Sequence, residues 1–220
     1  MIWESVSGVQ IPGLMSAIEG WMQIFLRKLW PDVEALSFMT IRRTQLGTVP
    51  VTKPRPAGHG EKAYQAMLTA AAEGCGLVVF MVDADTTDSR DWERKRDEIQ
   101  AGFEAARQNL IGIACVPMSA SESWLMADDV AWQLMGLRDP AILPQRPETI
   151  WGPRDDPAGN HPHRYFKRVC DRANQPDNYT TRREIAERSA LETLMRRCPV
   201  SFAGFQAELA RSVSTSSSGV

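Results

Sequence analysis

Asp83 and Asp85 stand one residue apart at the end of an unbroken apolar run, residues 77–82, in the stretch GLVVFMVDADTTD. A strand buried on both faces reads as such a run, and residues two apart on a strand point to the same side. Two carboxylates converging at one strand end repel each other unless a cation sits between them, and hard oxygen donors favour Mg²⁺ or Mn²⁺. The plainer alternative is that one aspartate caps the helix starting near Arg90 while the other is solvated. Glu122, in VPMSASESWLMAD, follows the next apolar run. It lies beside the aspartates if the two strands are neighbours, yet Ser119 and Glu122 also form an ordinary capping box. Glu4 is a third candidate, an acid at the end of a first strand over residues 1–3 or simply an exposed terminal residue.

The other chemistry-bearing side chains are less sharply placed. His59, His161 and His163 sit in Gly/Pro-rich segments. A histidine pair at i, i+2 can chelate a metal, although loop histidines are more commonly only exposed. Lys53 and Arg55, with Arg164, Arg168, Arg172, Arg182 and Arg183, can contact phosphates or form solvated faces. There is no P-loop, GxGxxG or GxSxG, so those chemistries have no support.

The elements that must position these residues follow from periodicity. Leu14, Ile18, Trp21, Phe25 and Leu29 fall at helical spacing, and Pro31 ends that helix. Residues 33–43 read as a strand, 47–60 as a Pro/Gly loop and 61–74 as a helix with a glycine stop. The strand 77–82 is followed by a helix over 90–109, with Trp92, Ile99, Phe103 and Ala106 inward, and by a second apolar strand over 111–117. Apolar strands separated by helices predict a doubly wound α/β domain over residues 1–138, its mainly parallel sheet covered on both faces. In such a sheet ligands bind at the C-terminal strand ends, where Asp83 and Asp85 fall. Residues 139–160 read as a linker or wrapping loop, 161–212 as a helical C-terminal region and 213–220 as a disordered polar tail. Thr181 with Glu184 and Ser189 with Glu192 form capping-box patterns, which predict a helix break near Ser189.

Composition bounds the function classes. The 220 residues are 43% hydrophobic and 24% charged, the values of a globular protein, and the net charge of −2 gives no global attraction to nucleic acid or membrane. Residues 1–149 carry 14 Lys+Arg against 19 Asp+Glu, and residues 150–220 carry 11 against 8. An acidic first part beside a mildly basic second part suits a metal site next to a phosphate-contacting surface, though solvated helix faces give the same numbers. Cys75, Cys115, Cys170 and Cys198 form no CxxC pair and read as reduced packing residues of a cytoplasmic protein. No apolar run approaches the roughly 18 residues of a membrane helix.

The order of an acid after a first strand, DAD after a middle strand and ESWLMAD after the next resembles the Toprim-type metal-binding domain. With the ending YTTRREIAERSALETLMRRCPVSFAGFQAELA, the chain looks like a bacterial family of standalone Toprim-like proteins related to RloB and to the OLD-type nucleases of defence islands. The resemblance implies that Asp83 and Asp85 hold Mg²⁺ (or Mn²⁺), that Glu122 adds a carboxylate and that Glu4 acts as general acid/base or second-metal ligand. It further implies phosphodiester cleavage in an anti-phage defence system, together with an ABC- or SMC-like ATPase. Glu19, followed by Gly20, is an alternative first acid, but it lies inside a helical pattern. Lys53, Arg55 and Arg164 are the candidate phosphate contacts. A catalytically weak Toprim-like binding or regulatory subunit is the competing reading, supported by the short first strand. DADTT also matches the D-x-D-x-T pattern of haloacid-dehalogenase-type phosphatases, but that motif belongs on a first strand with an acidic pair far downstream.

Overall fold

The structure, a computed structural model, describes residues 2–4, 19–30, 37–39 and 57–217. At its centre β3 (Leu77–Met81) and β4 (Ile111–Cys115) pair in parallel, with Leu77 opposite Ile111 and Met81 opposite Cys115. The crossover between them is α3 (Ser89–Ala106). Alternation along the two strands sends Leu77, Val79, Ile113 and Cys115 into one hydrophobic cluster, and Val78 and Ala114 into another. Both faces are therefore covered, which is why neither strand has a polar side.

On one face lie α2 (Gly58–Ala72) and α3, contributing Ala63, Met67, Ala70, Ile99 and Phe103. These helices touch backbone to backbone: a Cβ at Gly102 would sit 2.1 Å from the carbonyl oxygen of Gly60. Against the other face pack α1 (Glu19–Leu29), α4 (Glu122–Leu125), α5 (Asp129–Leu134), α6 (Pro162–Arg172), α7 (Tyr179–Arg188), α8 (Leu191–Arg197) and α9 (Ser201–Ser217). Trp124 is the hub of that larger core. Its ring meets Trp21 and Phe202 edge-on at 6.3 and 5.0 Å and stacks on Phe205 at 5.9 Å. Its Nε1 donates to Ser201 Oγ at 2.7 Å, so the indole fills the core without leaving its polar atom unpaired.

Polar side chains fix how the helices meet. Lys28, in the last turn of α1, donates to the carbonyls of Ala186, Glu187 and Ser189 at the end of α7, where the helix leaves acceptors unpaired. Asp128 caps α5 through the amides of Val130 and Ala131 and accepts from Ala190 N ahead of α8. Buried Glu148 accepts from the amides of Val200 and Ser201 and from the Ser201 hydroxyl, holding the start of α9.

Several expectations change here. β1 (Ile2–Glu4) runs antiparallel to both β3 and β2 (Ser37–Met39), giving the order β2-β1-β3-β4. The described chain is thus α/β and mostly helical, with one small parallel pair rather than a mainly parallel doubly wound sheet. The C-terminal helices are not an appendage, since Phe166, Ile185, Leu194 and Phe202 share one core with Leu77 and Ile113. α2 begins at Gly58, so His59 lies in its first turn instead of a loop, and α9 continues through Ser217 into the segment read as a disordered tail. The expected break near Ser189 separates α7 from α8, but α7 is capped by Asn178, which accepts from Thr181 N, and not by Thr181. All four cysteines are free and buried. Among the described residues no helix is long and apolar enough to cross a membrane.

Replacing Trp124 by Ala removes the hub of the larger core and is expected to cost about 3–5 kcal/mol. Urea denaturation checks this as a lowered midpoint with an unchanged slope.

Candidate metal centre

Beyond Met81 the chain leaves regular strand geometry but stays tied to its neighbour. Val82 N donates to Cys115 O, Ala84 N to Pro117 O and Thr86 N to Met118 O. From α3, Lys95 Nζ reaches back to the carbonyls of Asp83 and Ala84 at 3.0 and 2.9 Å. Asp83 is thereby held with its carboxylate turned to the segment after β4, where Oδ1 accepts from Ser121 N at 2.8 Å. Asp85 behaves differently. Its backbone is left-handed, with φ of 55°, and its side chain is exposed. The i, i+2 alternation of a strand no longer applies there, and Asp85 is not among the side chains whose ligand atoms gather with that of Asp83. The helix that follows is capped by neither: Asp88 accepts from Arg90 N at 2.7 Å.

Glu122 opens α4 and is only 1% exposed. Its side chain is not spent on a capping box, because two cations from distant helices claim it. His163 Nδ1 lies 2.6 Å from Glu122 Oε1, and Arg182 Nη1 donates to the same oxygen at 2.9 Å. Pro162 sets His163 in the first turn of α6, where proline's fixed φ and missing N–H cost nothing. Arg182, on α7, also pairs with Asp177 Oδ1 at 3.0 Å and lies 4.8 Å over the Phe166 ring. A buried guanidinium shared between two carboxylates and an aromatic face has its orientation fixed.

The two acids of the site are driven apart in affinity for protons. Burial, the Glu122 charge and then Asp85 push the Asp83 carboxyl up to about 7. Burial acts on Glu122 in the same sense, but the His163 hydrogen bond and the Arg182 charge overcome it and hold that carboxyl at about 2. The Glu122 hydrogen bond in turn raises His163, so that its Nδ1 donates. Glu122 is therefore a compensated anion, whereas Asp83 makes no ion pair among the described residues.

Asp83, Glu122 and His163 each offer one ligand atom, all within 4.8 Å of one another, and so form a group that could hold a metal ion. Two of the four expected acids are brought together. Asp85 is not one of them. Glu4 is displaced by strand direction: Ile2 pairs with Val78 and Trp3 with Leu77, so the β1 backbone reaches Glu4 at the edge where β3 begins. The length of β3, roughly 16 Å at 3.3 Å per residue, separates it from Asp83. Glu19 opens α1, as its helical pattern predicts. Lys53 and Arg55 lie outside the described residues. Arg164 is exposed and donates to the Arg154 carbonyl at 3.0 Å. His163 and Arg182 are the residues that sequence reasoning left among its weaker candidates. Proline at the first position of a helix marks His163 as first-turn, but nothing local marks Arg182, whose partner Glu122 is 60 residues away.

The site thus belongs to the class of partly buried carboxylate–imidazole centres at the C-terminal end of a parallel strand pair, where α/β sheets bind ligands. No family model, curated protein or solved structure matches the chain.

Because folding raises the Asp83 carboxyl from 3.8 to about 7, its contribution to stability is complete below the lower value and is lost as pH climbs to the upper one. The raised His163 acts with the same sign, its contribution fading above its ordinary 6.5, while Glu122 acts oppositely but only below 4.5. The melting temperature is therefore expected to fall from about pH 5 to about pH 8, and Asp83→Asn to flatten most of that slope. Calorimetric melting of both proteins across this range checks it.

Proposed function

We propose that the chain is a divalent-metal-dependent nuclease that cleaves phosphodiester bonds at the Asp83–Glu122–His163 centre. The observation that carries this reading is the convergence of three ligand atoms within 4.8 Å, one of them on a part-buried aspartate that makes no ion pair among the described residues. The donor set fits a divalent cation, which would offset the burial and the repulsion from Glu122 that together raise the Asp83 carboxyl to about 7. Two carboxylate oxygens with one imidazole nitrogen favour Mn²⁺ over the Mg²⁺ that an all-oxygen set would take. When bound, such an ion supplies Lewis-acid stabilisation of phosphoryl charge and lowers the pKa of water.

The remaining chemistry falls to the chain itself. Ser121 N and the Lys95 grip on the Asp83 carbonyl orient that carboxylate, so little reorganisation is needed on binding. Arg182 keeps Glu122 ionised and immobile through a buried charge-assisted bond. His163 sits half-exposed on the same carboxylate, and its Nδ1 bond to Glu122 holds the ring so that the other nitrogen could serve as the ligand. The likeness of DAD and ESWLMAD to the Toprim pattern supports nucleic acid as substrate, and extends the proposal to a role in anti-phage defence beside an ABC- or SMC-like ATPase.

A second reading has one observation in its favour. Glu122 is already balanced by His163 and Arg182, as a purely structural ion network would be, and this suits a Toprim-like regulatory subunit without chemistry. Titration calorimetry with Mn²⁺ and Mg²⁺ separates the two. Wild type is expected to bind Mn²⁺ more tightly than Mg²⁺, Asp83→Asn to lose at least about tenfold in affinity and Asp85→Ala to stay within about twofold. Cleavage of plasmid and tRNA should fall in step with binding in Asp83→Asn. Mn²⁺ binding untouched by Asp83→Asn would remove the centre, and binding without cleavage would leave the regulatory subunit.

A further inference from the structure

A tier of aromatic rings leads out of the centre. His163, on Glu122, stacks against His161 with ring centroids 5.3 Å apart and planes 18° from parallel. His161 in turn lies 5.3 Å from Trp151, whose plane is tilted by 40°. Trp151 is 41% exposed, one of few large apolar side chains left at the surface among the described residues. His161 is only 7% exposed, and its Nδ1 is buried without a hydrogen-bond partner. The ring is thus held by stacking from both sides and not by its polar atoms.

The mount of the tier is rigid. A Cβ at Gly152 would lie 3.0 Å from Asn160 N and 3.2 Å from His161 N, so the two ends of the loop 152–160 are in backbone contact beneath Trp151. Arg168 Nη1 ties the loop to α6 through the carbonyls of Pro157 and Gly159. Arg164 does the same through the Arg154 carbonyl, and both arginine side chains are exposed. The same loop carries two acids, Asp156, which accepts from Ala158 N, and the exposed Asp155. Arg154 is also close enough to His161 for its charge to act on that ring.

We propose that Trp151 is a stacking platform for an unpaired nucleobase, with Arg154 and Arg164 beside it for the phosphates, and that the centre takes single-stranded nucleic acid. The inference rests on reading Asp83, Glu122 and His163 as a phosphodiester-cleaving centre and names its substrate class. Any nucleobase offers a π-face to an exposed indole, whereas bases inside a duplex have theirs covered by their neighbours. The inner end of the tier rests on Glu122 itself, so a strand anchored on Trp151 has its adjoining backbone on the side of the metal ligands.

Binding is measured apart from cleavage, by fluorescence anisotropy of fluorescein-labelled oligo-dT, oligo-U and a mixed-sequence duplex in EDTA. The full-length chain should bind single strands at least about tenfold more tightly than duplex. Trp151→Ala and Trp151→Leu should each lose roughly tenfold or more, while Trp151→Phe, which restores a ring, stays within about threefold of wild type. Circular dichroism melts confirm that each variant is folded, and the leucine variant keeps the surface apolar without a π-face. The oligo-U and oligo-dT arms decide between RNA and DNA. Equal affinity for duplex, no binding, or full binding by Trp151→Leu overturns the platform. Cleavage in Mn²⁺ with binding indifferent to Trp151 would sink this inference and spare the nuclease. Trp151-dependent binding without metal affinity would do the reverse.

Discussion

A carboxylate taken out of water must be met by charge and hydrogen bonds, and in this chain that constraint falls on Glu122. Removing an ion from solvent costs several kcal/mol even after relaxation, and only close partners offset it. The partners come from α6 and α7, where His163 and Arg182 meet the same oxygen. Seating those cations brings Phe166 and Ile185 into the larger core with Trp124. The docking of the C-terminal helices and the construction of the centre are therefore one event.

Asp83 shows the other outcome of the same burial. It faces Glu122 across the end of the parallel pair but among the described residues accepts only from the Ser121 amide, and its carboxyl rises to about 7. The contrast between a compensated acid and an uncompensated one makes the site chemically asymmetric. Such splitting of two neighbouring titrations is a mark of functional centres, although structural networks produce it too. Lys95 and the hydrogen bonds from Val82, Ala84 and Thr86 keep Asp83 in place despite its lost strand geometry. The electrostatic tension at the site is thus held by backbone ties made outside it.

Strand order bears on the candidate centre as much as side chains do. In a mainly parallel sheet a first strand would bring Glu4 to the ligand edge. The antiparallel pairing of β1 with β3 sends it to the opposite edge. A group of Asp83, Glu122 and His163 consequently differs from an all-carboxylate one in taking an imidazole from a helix. The aromatic tier from His163 to Trp151 is a second consequence, because only a helix start placed beside Glu122 can carry a ring stack outward to the surface.

Local pattern was enough for the two buried strands, the crossover helix, the break near Ser189 and the position of Asp83 at a strand end, since apolar runs and periodicities act over a few residues. It offered Glu122 as a neighbour of Asp83 only on the condition that the two strands were adjacent, and the parallel pairing of β3 with β4 supplied that condition. It misplaced Asp85, because a single left-handed residue cancels the alternation on which the pairing rested. It treated the helices after residue 138 as separate, because nothing local reveals that Leu194 and Phe202 fill the same core as Ile113. The direction of β1, the choice of His163 over Asp85 and the pairing of Arg182 with Glu122 were decided only in three dimensions. Each depends on contacts between residues far apart in the chain, and the free energy that selects them, the cost of an uncompensated buried charge, does not exist until the chain has closed around it.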